Sequence, residues 1–147
     1  SNDEDYKKAK LNCLNLERKF IFEESIEGRE FTVTIIGNKC YPVIEIKTQN
    51  DFYDYDAKYI SDDTILDQAK LSDNELNIIN DIALRAFHAL KCSGWARVDI
   101  IQDINGNFNV IEINTVPGMT SHSCVPKSAS FMGLSYQDVI KEILSNV

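Results

Sequence analysis

Apolar positions change their period along this chain, and each change marks an expected element. Residues 6–19 carry Leu11, Leu14 and Leu16 at helical spacing among mixed charges, which predicts a helix. Residues 20–24, 30–36 and 41–47 are rich in Ile, Val, Phe and Thr, are punctuated by Gly28 and the Gly37-Asn38 pair, and read as three strands. Residues 48–71 hold no convincing period and are dominated by polar turn residues; a stretch of that length is either mobile or functional.

Ser72-Asp73-Asn74-Glu75 is a capping box, so a helix is expected to begin there. Leu76, Ile79, Ala83, Ala86, Phe87 and Leu90 make its apolar face, and Gly94 is expected to end it. Two strands follow, 96–103 and 108–113, around Asn105-Gly106. A loop is expected over 114–126, and Ser135 with Asp138 three residues later starts a last helix ending near Leu144. Helices flanking strands with mostly antiparallel connections place the chain in the α+β class.

Composition narrows the function without naming it. At 147 residues the chain is one domain-sized object, and its 44% hydrophobic and 26% charged content is ordinary for a soluble globular protein. No apolar run approaches the roughly 18 residues of a membrane span, and no signal peptide opens the chain. A formal charge of -8 argues against a nucleic-acid partner, which needs a basic stripe. Nucleotides stay open, because their sites need a metal and one or two local cations. Cys13, Cys40, Cys92 and Cys124 have no C-x-x-C spacing, and only His88 and His122 could join them, so zinc is not indicated. Free thiols without a secretory signal point to the reducing cytoplasm. The chain opens on Ser1-Asn2, which looks like the scar of a removed tag, so it is expected to be a truncated piece of a longer protein.

Candidate chemistry concentrates on the hairpin. If Asn105-Gly106 is a two-residue turn, paired positions place Asp99 opposite Glu112 and Arg97 opposite Asn114, all four on one face. Val98, Ile100, Ile111 and Ile113 then point to the other face, into a core. Two carboxylates about 5 Å apart repel by about 3 kcal/mol at an effective dielectric near 20. A shared proton, a neighbouring Arg or a divalent cation would each offset this, and the cation alone uses both carboxylates with the Asn carbonyl. Such oxygen ligands select Mg²⁺ or Mn²⁺. A polar hairpin face that is merely solvated is the plain alternative. A calcium loop starting at Asp103 fails, because Phe108 and Asn114 stand where Gly and Glu are required.

The loop after the hairpin, Thr115-Val116-Pro117-Gly118-Met119-Thr120-Ser121-His122-Ser123, is hydroxyl-rich, with a Gly where backbone N–H groups could approach an anion. Arg-x-Asp, a strand pair, Glu-x-Asn, then Pro-Gly-Met-Thr-x-His-Ser and Val-Pro together resemble the D-alanine–D-alanine ligases of the ATP-grasp superfamily. Phe52-Tyr53-Asp54-Tyr55-Asp56-Ala57-Lys58-Tyr59 resembles that family's mobile loop over the site, and Glu27-Gly28-Arg29-Glu30-Phe31-Thr32-Val33 its nucleotide-binding strand. The motifs keep the family's order, and the resemblance spans roughly Phe20 to Leu144.

The resemblance implies the C-terminal portion of an ATP-grasp fold, a mostly antiparallel sheet with flanking helices. Residues 1–47 would be the remainder of the small nucleotide-binding subdomain, and 48–147 the catalytic subdomain with lid loop and metal hairpin. It implies ATP-dependent joining of two D-alanines through an acyl phosphate, for peptidoglycan precursors, by a cytoplasmic homodimer. Asp99, Glu112 and Asn114 would hold two Mg²⁺ (or Mn²⁺) ions; Arg97 and the Gly118 backbone would stabilise the transferring phosphoryl group. Ser123 would bind the second D-alanine's carboxylate, and the next residue is Cys124 where the family usually has Leu. Lys58 would reach the phosphates, Tyr59 would close the lid, and Tyr53 would be a lid contact. Glu30 would take the ribose hydroxyls, and Glu23, Glu24, Ser25 and Ile26 the adenine edge; Glu24 stands where Lys is common. A D-lactate- or D-serine-using ligase and a non-catalytic nucleotide- or metal-binding fragment are the rival readings. The chain alone is expected not to ligate D-alanine.

Overall fold

In a computed structural model the described residues are 3–15, 19–47 and 64–147. Helix α1 (Asp3–Asn15) begins three residues before the expected start and leaves Tyr6, Leu11 and Leu14 exposed. The strand expected over 20–24 does not form. That segment pairs with nothing among the described residues, and Phe20, Ile21 and Phe22 are exposed, with Phe20 edge-on to Phe22. Alternation alone cannot make a strand without a neighbour to take its hydrogen bonds.

Six strands then build one antiparallel sheet: β1 (Gly28–Ile36), β2 (Lys39–Cys40), β3 (Ile44–Lys47), β4 (Ile65–Gln68), β5 (Trp95–Asp103) and β6 (Phe108–Asn114). The order is β4-β3-β1-β5-β6, with β2 on the end of β1. β3 is shorter than expected because Pro42 has no N–H for the ladder. β4 and β2 were not legible, being four and two residues long. Strands from both sides of the 47/48 division therefore share one sheet.

Helix α2 (Asp73–Ala89) starts on the expected box: the Ser72 hydroxyl accepts from the Glu75 amide, and the Glu75 carboxylate accepts from the Ser72 amide. Its buried face is Ile79, Ala83 and Phe87, while Leu76 and Leu90 remain exposed. Lys91, not Gly94, ends the helix. It adopts φ 54°, and the amides of Lys91 and Cys92 reach back to the carbonyls of His88 and Phe87. A short helix, α3 (Cys124–Ser130), occupies what reads as loop; Pro126 is harmless there because first-turn amides have no intrahelical acceptor. Helix α4 (Tyr136–Leu144) follows as expected, on a Ser135–Asp138 capping box.

Strand alternation sorts the sheet into two faces. Phe31, Val33 and Ile35 of β1 and Ala96, Val98 and Ile100 of β5 pack against α2. On the opposite face, α3 and α4 bury Ile36, Tyr41, Val125, Ala129, Val139 and Ile143. Among the described residues they pack over one end of it, and the other end holds the buried polar cluster described next.

Candidate active site

The β5–β6 hairpin carries the expected pairs, Asp99 opposite Glu112 and Arg97 opposite Asn114, but not through a two-residue turn. Asp103 and Asn107 close a three-residue loop: the Asp103 amide donates to the Asn107 carbonyl and the Gly106 amide to the Asp103 carbonyl. Gly106 takes φ 86°, the left-handed residue such a loop requires. The Asp103 carboxylate accepts from the Asn105 and Asn107 amides, so the acidic turn residue serves the turn. The longer loop displaces the register by one: Ile100 faces Val110 and Gln102 faces Phe108. A bulge opposite the Asp99/Ile100 step restores it. Ile111 falls at that bulge and is 50% exposed, a correction to its expected place in the core.

Arg97 and Asp99 are nearly buried, at 6% and 5% exposure. Arg97 Nε donates to Asp99 Oδ1 at 2.9 Å and Nη2 to Oδ2 at 2.8 Å. This forked, charge-assisted pair is the strong kind of side-chain contact. Of the three ways to offset facing carboxylates, the neighbouring Arg is one that the strand itself supplies. A cation is therefore not demanded by repulsion; its case rests on donor chemistry. From β1, the neighbouring strand, Thr32 sits opposite Asp99 and Thr34 opposite Arg97. The Thr32 hydroxyl donates to Asp99 Oδ1 at 2.7 Å. Thr34 Oγ1 is buried without a hydrogen-bond partner among the described residues. Asn114 accepts from the Val116 amide through its side-chain oxygen at 3.1 Å, which fixes which end of the amide is oxygen and leaves it acceptor capacity.

A cavity of about 650 Å³ opens beside this cluster. Asp99 and Glu112 stand on its wall, Glu30 on another part, and Glu23, Glu24 and Ile26 on the coil segment that borders it. Its apolar lining includes Ile46, Ile101, Val110 and the bulged Ile111. Five of the nucleotide-contact candidates, Ser25 included, thus share one cavity with two of the metal candidates. Gly118 and Ser123 lie in the loop that follows β6: a Cβ on Gly118 would approach Ser123 Oγ to 3.0 Å, and that oxygen accepts from the Thr120 amide at 3.0 Å. The Tyr136 hydroxyl of α4 donates to the Met119 carbonyl and pins the same loop. Tyr53, Lys58 and Tyr59 lie outside the described residues. No cluster of three His, Cys, Asp or Glu exists among the described residues, so a cation here would take two carboxylates and one amide oxygen.

Over residues 1–145 the sequence matches the family described as D-ala D-ala ligase C-terminus. The chain belongs to the D-alanine–D-alanine ligase family. A D-alanine–D-alanine ligase of Mannheimia succiniciproducens is 40% identical over 142 residues, covering 96% of this chain and 46% of the relative. The solved D-alanine–D-alanine ligase of Bacillus anthracis complexed with ATP superposes with TM-score 0.83 at 29% identity, covering 98% of this chain and 46% of that one. The VanG D-Ala:D-Ser ligase of Enterococcus faecalis also matches, with TM-score 0.70 and 31% identity over 84% of this chain and 37% of its own. The chain thus spans about half the length of the D-alanine–D-alanine ligases it matches. Its α+β antiparallel fold is that of the C-terminal part of these family members.

The sequence reading passed over Thr32. Glu30, Thr32 and Thr34 alternate on one face of β1, but the pairing that sets Thr32 opposite Asp99 and Thr34 opposite Arg97 belongs to the sheet and has no local signal.

Proposed function

We propose that this chain supplies the phosphate- and metal-binding part of an ATP-dependent D-alanine–D-alanine ligase. The observation that carries this reading is the cavity shared by the nucleotide-contact and carboxylate residues beside the Arg97–Asp99 pair, in a chain of this family. Asp99, Glu112 and Asn114 are the residues that would hold two Mg²⁺ or Mn²⁺ ions; hard oxygen donors, few in number, suit ions that keep waters and phosphate oxygens as further ligands. Bound there, the ions would neutralise phosphate charge during transfer.

This chain's own groups then position and neutralise. A D-alanine carboxylate oxygen attacks the terminal phosphorus of ATP, ADP leaves, and an acyl phosphate forms. The amine of a second D-alanine attacks the acyl carbon, phosphate leaves, and the amine loses a proton to solvent. Arg97, with permanent charge and planar donors, and the Gly118 backbone stabilise charge on the transferring group. Ser123 donates to the second substrate's carboxylate. Glu30 accepts from the ribose hydroxyls, Glu23, Glu24 and Ile26 border the adenine, and Lys58, Tyr59 and Tyr53 act from the lid. In this reading residues 1–47 bring the adenine and ribose contacts, and 48–147 bring Lys58 and the metal hairpin. A cytoplasmic homodimer belongs to the same reading.

The test joins the N-terminal portion of the Mannheimia succiniciproducens relative to this chain and measures phosphate release with ATP, Mg²⁺ and D-alanine. Release that needs D-alanine, falls at least about 100-fold on Asp99→Asn as loss of transition-state charge stabilisation does, and is absent from the 147-residue chain alone is expected. A folded, ATP-binding hybrid with no D-alanine-dependent release would overturn the proposal. Faster turnover with D-serine or D-lactate as second substrate would move it to those ligases.

A further inference from the structure

Thr32 is the only side chain of β1 seen to reach the carboxylate of Asp99, and its surroundings leave it little other purpose. Its side chain is 1% exposed, and its hydroxyl has one proton to give. Two acceptors compete for that proton: the Val98 carbonyl at 3.4 Å and Asp99 Oδ1 at 2.7 Å. The shorter contact is also the charge-assisted one, so the proton belongs to Asp99.

Among the described residues the carboxylate has two supports that differ in kind. Arg97 is its neighbour on the same strand and holds both oxygens through a long side chain. Thr32 holds Oδ1 from the adjacent strand through a short side chain whose branched Cβ restricts χ1. Bonds from two strands triangulate the group; a bond from β5 alone would let carboxylate and guanidinium swing together. We infer that Thr32 is a positioning residue, fixing the Asp99 carboxylate as an oxygen ligand independently of Arg97. This rests on the reading of Asp99 as a metal ligand given above. Thr34 supplies the internal control. It lies on the same strand and the same face, it is equally buried, and its hydroxyl has no hydrogen-bond partner among the described residues. Removing that hydroxyl should cost nothing at the site.

The experiment compares the chain with its Thr32→Val, Thr32→Ser and Thr34→Val variants in two ways. Mn²⁺ affinity is read by electron paramagnetic resonance, and the Asp99 carboxyl ¹³C resonance is read at fixed pH without metal. Thr32→Val is expected to weaken Mn²⁺ binding roughly 10-fold, at the lower end of what groups supporting a metal ligand carry, and to move the Asp99 resonance. Thr32→Ser should restore both, and Thr34→Val should change neither. Equal effects of the two valine variants, or an unmoved Asp99 resonance in Thr32→Val, would overturn the inference. If the chain binds no Mn²⁺ at all, the metal reading fails, and the metal-free resonance still decides whether Thr32 holds Asp99. Should Thr32→Val fail to fold, Thr32→Ala takes its place in both measurements.

Discussion

A side chain at position 28 would overlap the Gln102 carbonyl oxygen, so β1 and β5 close together at this end only because Gly28 has none. The clash is with backbone, which cannot rotate away. Gly28→Ala should therefore lose about 1–3 kcal/mol, the usual cost of overpacking, measurable as a lower urea midpoint with unchanged slope. An unchanged midpoint would mean that the strand end is loose enough to part. Glu30 stands two residues further along the same strand, so the substitution should also disturb the cavity wall. At this scale the sequence was partly legible. Arg97, Asp99, Glu112 and Asn114 announce themselves because charged residues on a strand that is otherwise Val and Ile need a reason. Thr32 does not, because threonine is common in strands on propensity alone, and only a partner's coordinates distinguish it from Thr34.

Elements were legible where a local signal fixes them and not where a neighbour does. The boxes at Ser72 and Ser135 each closed as their spacing predicts. The strand expected at 20–24 is coil, with no strand partner among the described residues, and the hairpin reached the expected pairing by two errors that cancel. The loop is one residue longer than a two-residue turn, and the bulge at Ile111 takes that residue back. Bulges follow from the sheet's surroundings and have no sequence signature here; this one turns Ile111 from the core into the cavity.

The capping and turn carboxylates also set a pH dependence. The hydroxyl and amide of Ser72 hold Glu75 below its ordinary value of 4.5, the side chain and amide of Asn107 hold Asp103 below 3.8, and Ser135 does the same for Asp138. A folded value below the unfolded one stabilises above the unfolded value and is lost as pH falls through the folded one. Thermal stability should thus hold from pH 7 to about 5 and decline below about 4. Ser72→Ala should cost about 1 kcal/mol near neutrality and less in acid, once the pH has fallen far enough for Glu75 to take up its proton in the folded protein. A cost that is the same at both pH values would show that Glu75 contributes nothing to the cap.

For the whole molecule, the arrangement of cover explains where chemistry can occur. Among the described residues helix α2 packs on one face of the sheet, α3 and α4 on one end of the other, and the remaining end keeps its polar side chains beside a cavity. That asymmetry could not be read from the sequence, because α3 was hidden behind Pro126 and nothing local says which face a helix will cover. Among the described residues no helix is long and apolar enough to cross a membrane. The charge of -8 offers a cation other places to go, notably the Asp3-Glu4-Asp5 start of the exposed α1. Location, more than affinity, is therefore the decisive observation.

Adding substoichiometric Mn²⁺ to the ¹⁵N-labelled chain and following paramagnetic broadening amide by amide supplies it. The amides of residues 97–99 and 112–114 should vanish first, and Asp99→Asn with Glu112→Gln should abolish the effect there. Broadening centred on residues 3–5, or spread evenly over the acidic surface, would contradict a metal site on the β5–β6 hairpin.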